Sequence, residues 1–435
     1  MFKSCFVLNL MKKEKRANLK SATLLCVKVE KRRGEEVRRA LKERKLLRTD
    51  AKIISDPDFI FLPLVRRLEQ QESLTLTQET REFEISEPRR SVEDLVGFKP
   101  AYEVVGDIAV LTGDRGPDSD HRRDRDRHRD RHRDRETAET DESLERVAAQ
   151  ARAILSLHKN IKVVAKQTSP VEGVFRQRRL KIIAGECRTE TTHKENGCRF
   201  KLDLNKVYFN PRLATERARV VEQVERSERE NEAEKIIDMF AGVGSFAVQI
   251  AKRAPHSHVT AIEINPEAVR YLKENIKLNR VGEGKIEAVL GDAREVFKGE
   301  SESGNESGNE SGNEKERFRG SADRIIMNLP KSAHLFLNEA LGMLKPRAGT
   351  IHFYTLETSS PSPSPSPTPS PSPSPPSLSL ETAIKKAKEK LAAGINEASK
   401  RAGGREVQLE ILNARKVKTY APYSFILGID AIIRK

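Results

Sequence analysis

Apolar and polar positions change their period several times along this chain. ATLLCVKVE alternates in twos, GEEVRRALKERKL repeats its apolar positions at helical spacing, and FIFLPLV is a short continuous apolar run. A period of two belongs to a half-buried strand, and a period near 3.6 to a helix packed by one face. Residues 22–66 are therefore expected to form a small α/β domain. The Glu/Arg/Thr-rich stretch 67–97 follows neither period and is expected to be a linker. Over 98–205, the strand patterns YEVVGDIAVL, IKVVAKQ, LKIIAGE and CRFKLDL accompany one helical pattern, SLERVAAQARAILSLH, which predicts an α+β middle domain. From about residue 206 strand and helix patterns alternate, the layout of a parallel sheet covered by helices.

Three segments interrupt this patterning. Residues 114–141 contain DRDRHRDRHRDRE, 299–317 repeat Ser-Gly-Asn-Glu, and 359–379 are largely alternating Ser-Pro. They hold almost no apolar residues to bury, so all three are expected to be disordered inserts in surface loops. His121, His128 and His132 suggest metal ligands, but in a run of mixed charge a solvated linker is the better reading, and no metal is expected.

Composition narrows the classes. The 80 Lys and Arg exceed the 65 Asp and Glu by 15, which suits a nucleic-acid partner but also describes many solvated surfaces. No run approaches the roughly 20 apolar residues of a spanning helix, so an integral membrane protein is excluded. Cys5, Cys26, Cys187 and Cys198 form no CxxC pair, and free buried thiols in a reducing compartment are expected. The basic start MFKSCFVLNLMKKEKRANLK lacks a long apolar core and is not read as a signal peptide; a cytoplasmic location is expected.

The last block carries the chemistry. KIIDMF reads as a buried strand ending in a turn at Gly242 and Gly244, and Glu263 ends the next strand 21 residues after Gly242. A glycine turn lets backbone approach a ligand, and a carboxylate there can take ribose hydroxyls. Phe246 is read as occupying the place of the third glycine of G-x-G-x-x-G, which disfavours a dinucleotide, and Asp292 can accept from an adenine amino group. The bland alternative is an ordinary tight turn with two solvated acids. Asn328-Leu329-Pro330 ends a fourth strand where amino-group methyltransferases carry D/N-P-P-Y/F, and Lys331 stands in place of the aromatic. A ring nitrogen is thus a better substrate atom than an exocyclic amine. VQLEILNARKVKTYAP and SFILGIDAII read as an antiparallel pair closing the sheet. The whole resembles the Rossmann-like sheet of class I S-adenosylmethionine methyltransferases.

GVFRQRRLKIIAGECRTETTHKENGCRFKLDLNKVYFNPRLATERARV, DMFAGVGSFAVQIAK, IEINPEAVRYLKENIKLN, GDAREV and IIMNLPKSAHLFL closely resemble the tRNA (guanine-37 N1)-methyltransferase family of archaea and eukaryotes. The resemblance runs from about 171 to 356, resumes at VKTYAPYSFILGID, and is weaker in the N-terminal module. It implies S-adenosylmethionine as cofactor and a methyltransferase domain at 206–435. It also implies a monomer that binds tRNA at the anticodon loop and, through residues 22–66, at the outer corner. Glu216 would be the general base, Arg176 would neutralise charge on the guanine O6, and Tyr208, Asn328 and Pro330 would hold the base. Arg217, Phe240, Glu263, Asp292 and Ala293 would line the cofactor site with Asn328 and the two glycines. Without the resemblance, Arg176 and Glu216 read better as surface ion pairs. The rivals are a wybutosine-pathway aminocarboxypropyltransferase of the same fold and a non-catalytic RNA-binding protein.

Deleting 301–314 and 359–379 together is expected to leave thermal stability and activity unchanged, since the two tracts hold too few apolar residues to form a core. A clear fall in melting temperature would show that one of them packs.

Overall fold

The computed structural model describes residues 20–69, 76–85, 91–112, 141–230, 232–298, 317–358, 380–404, 406–421 and 424–435. The three inserts, with His121, His128 and His132, lie almost wholly outside the described residues, as do Cys5 and the basic start. Two compact units divide between Leu95 and Val96, within the short helix α2 defined below.

The first unit is a sheet with one helix. Its elements are β1 (Lys20–Glu30), α1 (Gly34–Glu43), β2 (Ile54–Ser55), β3 (Phe59–Pro63) and β4 (Thr77–Ile85), in the order β2-β3-β1-β4. Period-two alternation gives β1 two buried faces. Val27 and Val29 pack with Val37 and Leu41 of α1, whereas Cys26 packs with Phe61 and Phe83. β4 corrects the linker expectation for 67–97. It pairs antiparallel with β1 from Lys20↔Ile85 to Lys28↔Thr77. Its sequence, TQETREFEI, hides the strand because Phe83 alone is fully buried and its other side chains face water in whole or part. The Arg81 guanidinium also lies 3.5 Å over the Phe61 ring, so a polar residue here covers apolar surface.

After α2 (Val92–Val96), the second unit opens with β5 (Tyr102–Val105), β6 (Ile108–Leu111), α3 (Asp141–Leu157), β7 (Val163–Gln167) and β8 (Leu180–Gly185) in one mixed sheet. A hairpin follows, β9 (Glu190–Glu195) and β10 (Cys198–Asp203). Its turn is Asn196-Gly197, both at positive φ (47° and 77°), the pair that a two-residue hairpin turn of the right twist requires. The HKENG motif is thus first a folding signal. Cys187, before β9, is exposed and corrects the expectation of a buried thiol; Cys26 and Cys198 are buried and free.

The remaining elements are α4 (Ala214–Arg229), β11 (Lys235–Asp238), α5 (Ala247–Arg253), β12 (His258–Glu263), α6 (Pro266–Leu278), β13 (Ile286–Leu290), α7 (Ala293–Lys298), β14 (Arg324–Met327), α8 (Leu337–Met343), β15 (Ala348–Thr358), α9 (Leu380–Arg401), β16 (Gln408–Ala421) and β17 (Ser424–Arg434). The sheet runs β13-β12-β11-β14-β15-β17-β16, parallel as far as β15 and antiparallel beyond it. β17 lies inside and reads as a continuous apolar run. β16 is the edge, and its Lys, Arg and Glu side chains suit a strand with one unpaired side. Successive residues point to opposite faces, so Ile326 and Tyr354 join one core layer while Ile325, Met327 and Phe353 join the other.

One boundary moves. Val105, Ile108, Val163, Phe200 and Leu202, expected in a separate middle domain, share a core layer with Val259 of the large sheet and with Val248 and Leu272 of the helices α5 and α6 that cover it. One face of residues 98–205 therefore shares its core with the large sheet and its helices, while Ala151, Ile154 and Val164 are buried outside that shared layer.

A fragment starting at Val96 is expected to unfold in one cooperative thermal transition, because a shared core couples its parts. Two resolved transitions would mean that 98–205 folds independently.

Candidate cofactor and substrate site

Parallel strands send all their C-termini to one edge, and the strand order reverses between β11 and β14, which opens a crevice there. Three neighbouring strand ends deliver carboxylates to it: Asp238 from β11, Glu263 from β12 and Asp292 just after β13. The turn after β11 holds Gly242 at φ +57° and Gly244 at φ +85°. At φ +85° any side chain on Gly244 is strained, and its Cβ would also push on Leu272 Cδ1, 2.2 Å away. Counted from Gly242, the third place of G-x-G-x-x-G falls on Ala247, not Phe246; Phe246 is buried against the Tyr354 ring. The turn spacing thus does not by itself reject a dinucleotide. The antiparallel β17–β16 end of the sheet is what sets this fold apart.

Glu263 accepts hydrogen bonds from the amides of Gly242 and Asn265, both at 2.8 Å. Burial still raises its pKa against the pull of those amides. Asn265 caps α6 by accepting from the Glu267 amide, with Pro266 in the first turn, so the strand-to-helix corner is rigid. Asp292 accepts from the Arg294 amide at 2.8 Å and pairs with its guanidinium at 2.6 Å; Arg294 holds the carboxyl below its usual range. Phe240 meets Phe336 edge-to-face at 4.9 Å, and Ala293 is buried at the start of α7.

Asp238 was not singled out by the sequence reading. It is fully buried, its Oδ1 takes the Phe240 amide at 3.3 Å, and among the described residues its Oδ2 has no hydrogen-bond partner. Desolvation pushes its pKa up to about 7. The signal was present in KIIDMF, where a lone acid ends an apolar strand, and buried acids need a partner. An orphaned carboxylate oxygen, a glycine turn at positive φ and a second, half-buried acid fit a ligand that brings its own donors.

The substrate-side residues split into two groups. Arg176 sits at φ +53°, and its guanidinium lies 4.3 Å over the Tyr208 ring. The Tyr208 carbonyl is 4.0 Å from where a Gly242 Cβ would be, so this pair borders the glycine turn. Asn328 follows β14, and the Pro330 carbonyl accepts the Leu356 amide of β15 at 2.9 Å, which pins the Asn-Leu-Pro turn. Among the described residues the Asn328 side chain makes no hydrogen bond and is half-buried. The Lys331 ammonium lies 5.6 Å from the ring of Tyr420 on β16, so an aromatic reaches this corner from a distant strand.

Glu216 and Arg217 are placed otherwise. Asn210 caps the short turn Pro211–Leu213 leading into α4, and the next turn buries both residues. Arg217 forms a fork with Glu195 of β9, at 2.5 Å twice, and donates to the Asn210 carbonyl at 3.0 Å. Its guanidinium thus ties α4 to the hairpin. Arg217 drives the Glu195 carboxyl down to about 2 against the opposing effect of burial. Glu216 is no surface ion pair; it accepts from Tyr354 Oη at 2.7 Å and from the guanidiniums of Arg219 and Arg415.

Residues 191–306 match the TRM5/TYW2 methyltransferase domain, and 26–72 match the tRNA methyltransferase 5 N-terminal domain. The chain is 34% identical to a tRNA (guanine(37)-N(1))-methyltransferase Trm5b of Pyrococcus abyssi, over 93% of this chain and 98% of that protein. It is 31% identical to the protein of that name in Methanocaldococcus jannaschii, over 94% and 99%. The chain belongs to the TRM5/TYW2 methyltransferase family. Its fold also matches that of aTrm5 in a complex with tRNALeu, at 30% identity, TM-score 0.53, 94% of this chain and 99% of the other. The match across the N-terminal unit continues to residue 72, beyond the expected end at 66.

Asp238→Asn is expected to trade binding for stability. With the folded pKa raised above the unfolded value, ionisation disfavours the native state as pH rises from about 4 to 7, so the neutral amide should melt higher at pH 8. S-adenosylmethionine, which carries cationic groups, should bind at least about tenfold more weakly by calorimetry. Unchanged affinity would remove Asp238 from the cofactor site.

Proposed function

We infer that this chain transfers a methyl group from S-adenosylmethionine to N1 of guanine at position 37 of tRNA. The observation that carries this is convergence. Arg176, Tyr208, Gly242, Glu263 and Asn328 are scattered over 153 residues of a chain of this family. They sit on loops and strand ends at the C-terminal edge of one parallel sheet or beside its glycine turn.

Asp238, Phe240, Gly242, Gly244, Glu263, Asp292, Ala293 and Asn328 would hold the cofactor, which supplies an electrophilic methyl when bound. The guanine ring nitrogen carries a proton at neutral pH, and its lone pair attacks only once that proton leaves. Glu216 takes the proton, and Arg176 stabilises the negative charge that appears on O6. Tyr208 offers a ring face, and Asn328 with Pro330 offers polar atoms to hold the base. Position 37 lies in a single-stranded loop, so placing the base in a pocket costs only modest unstacking. Around Arg176 the surface is basic: burial lowers the Lys418 pKa, and the nearby Arg212 and Arg176 lower it further, crowding that a phosphate relieves.

The residues before Val96 would read the outer corner of the tRNA, and the chain would act as a cytoplasmic monomer. Among the described residues no helix is long and apolar enough to cross a membrane.

Methyl transfer to a transcript with guanine at position 37 is expected, and none to the same transcript with adenine there. Equal transfer to both would overturn the ring-nitrogen reading. Glu216→Gln should lower the single-turnover rate by about 10²–10⁴-fold. Because the carboxylate is also part of a buried charge network, the variant should melt lower, by up to about 3–5 kcal/mol of stability. A full-rate variant would assign the proton to another group.

A further inference from the structure

Glu216 has no acceptor site left for a substrate. A carboxylate offers about four lone-pair positions. Oε1 of Glu216 accepts from Tyr354 Oη at 2.7 Å, from Arg219 Nη2 at 2.8 Å and from Arg415 Nη2. Oε2 accepts from Arg415 Nε at 3.1 Å and from Arg219 Nε at 3.2 Å. For either oxygen to take the proton of a guanine ring nitrogen, one donor has to leave.

The three donors differ in how they are held. Tyr354 is fully buried in the sheet core. Arg219 lies one turn from Glu216 on the same helix, so it moves with the carboxylate; it and Arg415 are both also anchored to Asp430 of β17, at 2.7 and 2.9 Å. Arg415 comes from β16, the edge strand, whose pairing with β17 is interrupted by irregularities at Ile411/Asn413 and Lys416/Lys418, on both sides of it. Gly428 lies opposite Arg415 in the ladder, and a Cβ there would sit 3.2 Å from Arg415 Nη2. The guanidinium thus lies across the strand where no side chain competes.

We propose that Arg415 is a displaceable clamp on Glu216: it holds the carboxylate in place, and its withdrawal on RNA binding frees the oxygen that takes the guanine proton. This rests on Glu216 being the base. In the step, the N1–H bond breaks and an O–H bond forms on Glu216. The N1 pair then forms the N1–CH3 bond as the S–CH3 bond breaks and the sulfonium becomes a thioether. A phosphodiester gives the freed guanidinium an equivalent charged partner. Were Arg415 to stay, protonated Glu216 would leave Arg219 and Arg415 to share one carboxylate, Asp430, in a partly buried cluster. That surplus positive charge opposes the transfer. Arg415 is a positioning residue, and it need not touch the base.

The test is the pH dependence of kcat/KM for methyl transfer to a guanine-37 transcript by the full chain, because that profile reports the groups of the free protein, in which Arg415 still holds Glu216. The groups facing Glu216 are Arg219 on α4, Tyr354 on β15 and Arg415 on β16, with Asp430 on β17 and His352 on β15 behind them. The two guanidiniums, against the effect of burial, hold Glu216 below its usual range. Arg415→Met should therefore move the acid limb of the rate profile to higher pH by about one to two units. At high pH its rate should equal or exceed that of the unaltered chain. Arg415→Lys, which keeps a charge but loses the fork, should move the limb the same way by less, and carries the test if the Met variant does not fold. The double variant with Glu216→Gln should match Glu216→Gln alone. A limb that stays put in a folded Arg415 variant, with the rate lowered equally at every pH, would overturn the clamp while leaving Glu216 as the base. Full rate in Glu216→Gln would instead overturn the base, and the clamp with it.

Discussion

A chain of charges buried against the large sheet joins its parallel half to its antiparallel end. Glu234 pairs with Arg324 of β14 at 2.5 Å, Arg324 reaches His352 of β15 at 2.8 Å, and His352 reaches Asp430 of β17 at 2.7 Å. Asp430 then holds Arg219 of α4 and Arg415 of β16, and both hold Glu216. Arginine cannot accept a hydrogen bond, so His352 Nε2 must be the acceptor and Nδ1 must carry the proton given to Asp430. Burial keeps this histidine neutral, its pKa lowered. Three arginines then balance three carboxylates. A set this deep is tolerated because it is closed; removing one member leaves an uncompensated charge that costs about 3–5 kcal/mol.

Closure also explains why the Glu216 carboxylate sits where it does. Residues 216 and 430 are joined through arginine forks on a helix and an edge strand, so the helix that follows YFNPRL is fixed against the sheet. The same arrangement makes Glu216 a well-placed but well-solvated anion, with guanidiniums in place of water. The cofactor edge uses the opposite tactic. Asp238 is fully buried and Glu263 half-buried, and among the described residues neither pairs with an arginine; desolvation raises both pKa values. Uncompensated acids destabilise the free protein, and a ligand bearing donors recovers that cost on binding.

The periodicity of the sequence determined much of this protein. Alternating strand and helix patterns fix the parallel half, because an apolar run such as RIIM has to be covered on both faces. Glycines at 242 and 244 and the caps at Asn210 and Asn265 are local devices, legible wherever backbone chemistry demands a residue type. The family motifs carried the substrate class. β4 was hidden because a one-sided strand needs few apolar residues, and Phe83 was too little signal among Glu, Arg and Thr. The hairpin β9–β10 looked like part of another domain because core sharing leaves no mark on a sequence.

What only the tertiary structure decided is which charges meet. Glu216, Arg219, Tyr354, Arg415 and Asp430 span 215 positions, and in sequence each reads as an ordinary polar residue on a helix or strand. Hydrogen-bond networks are set by distances of about 3 Å, and pairing register across β15, β17 and β16 alone brings these groups that close. For the same reason Arg217 was legible as a conspicuous residue but not as a partner of Glu195, and Asp238 as an acid but not as a buried one. The sequence determined the elements and the chemistry available to them; burial and pairing determined which groups are free to use it.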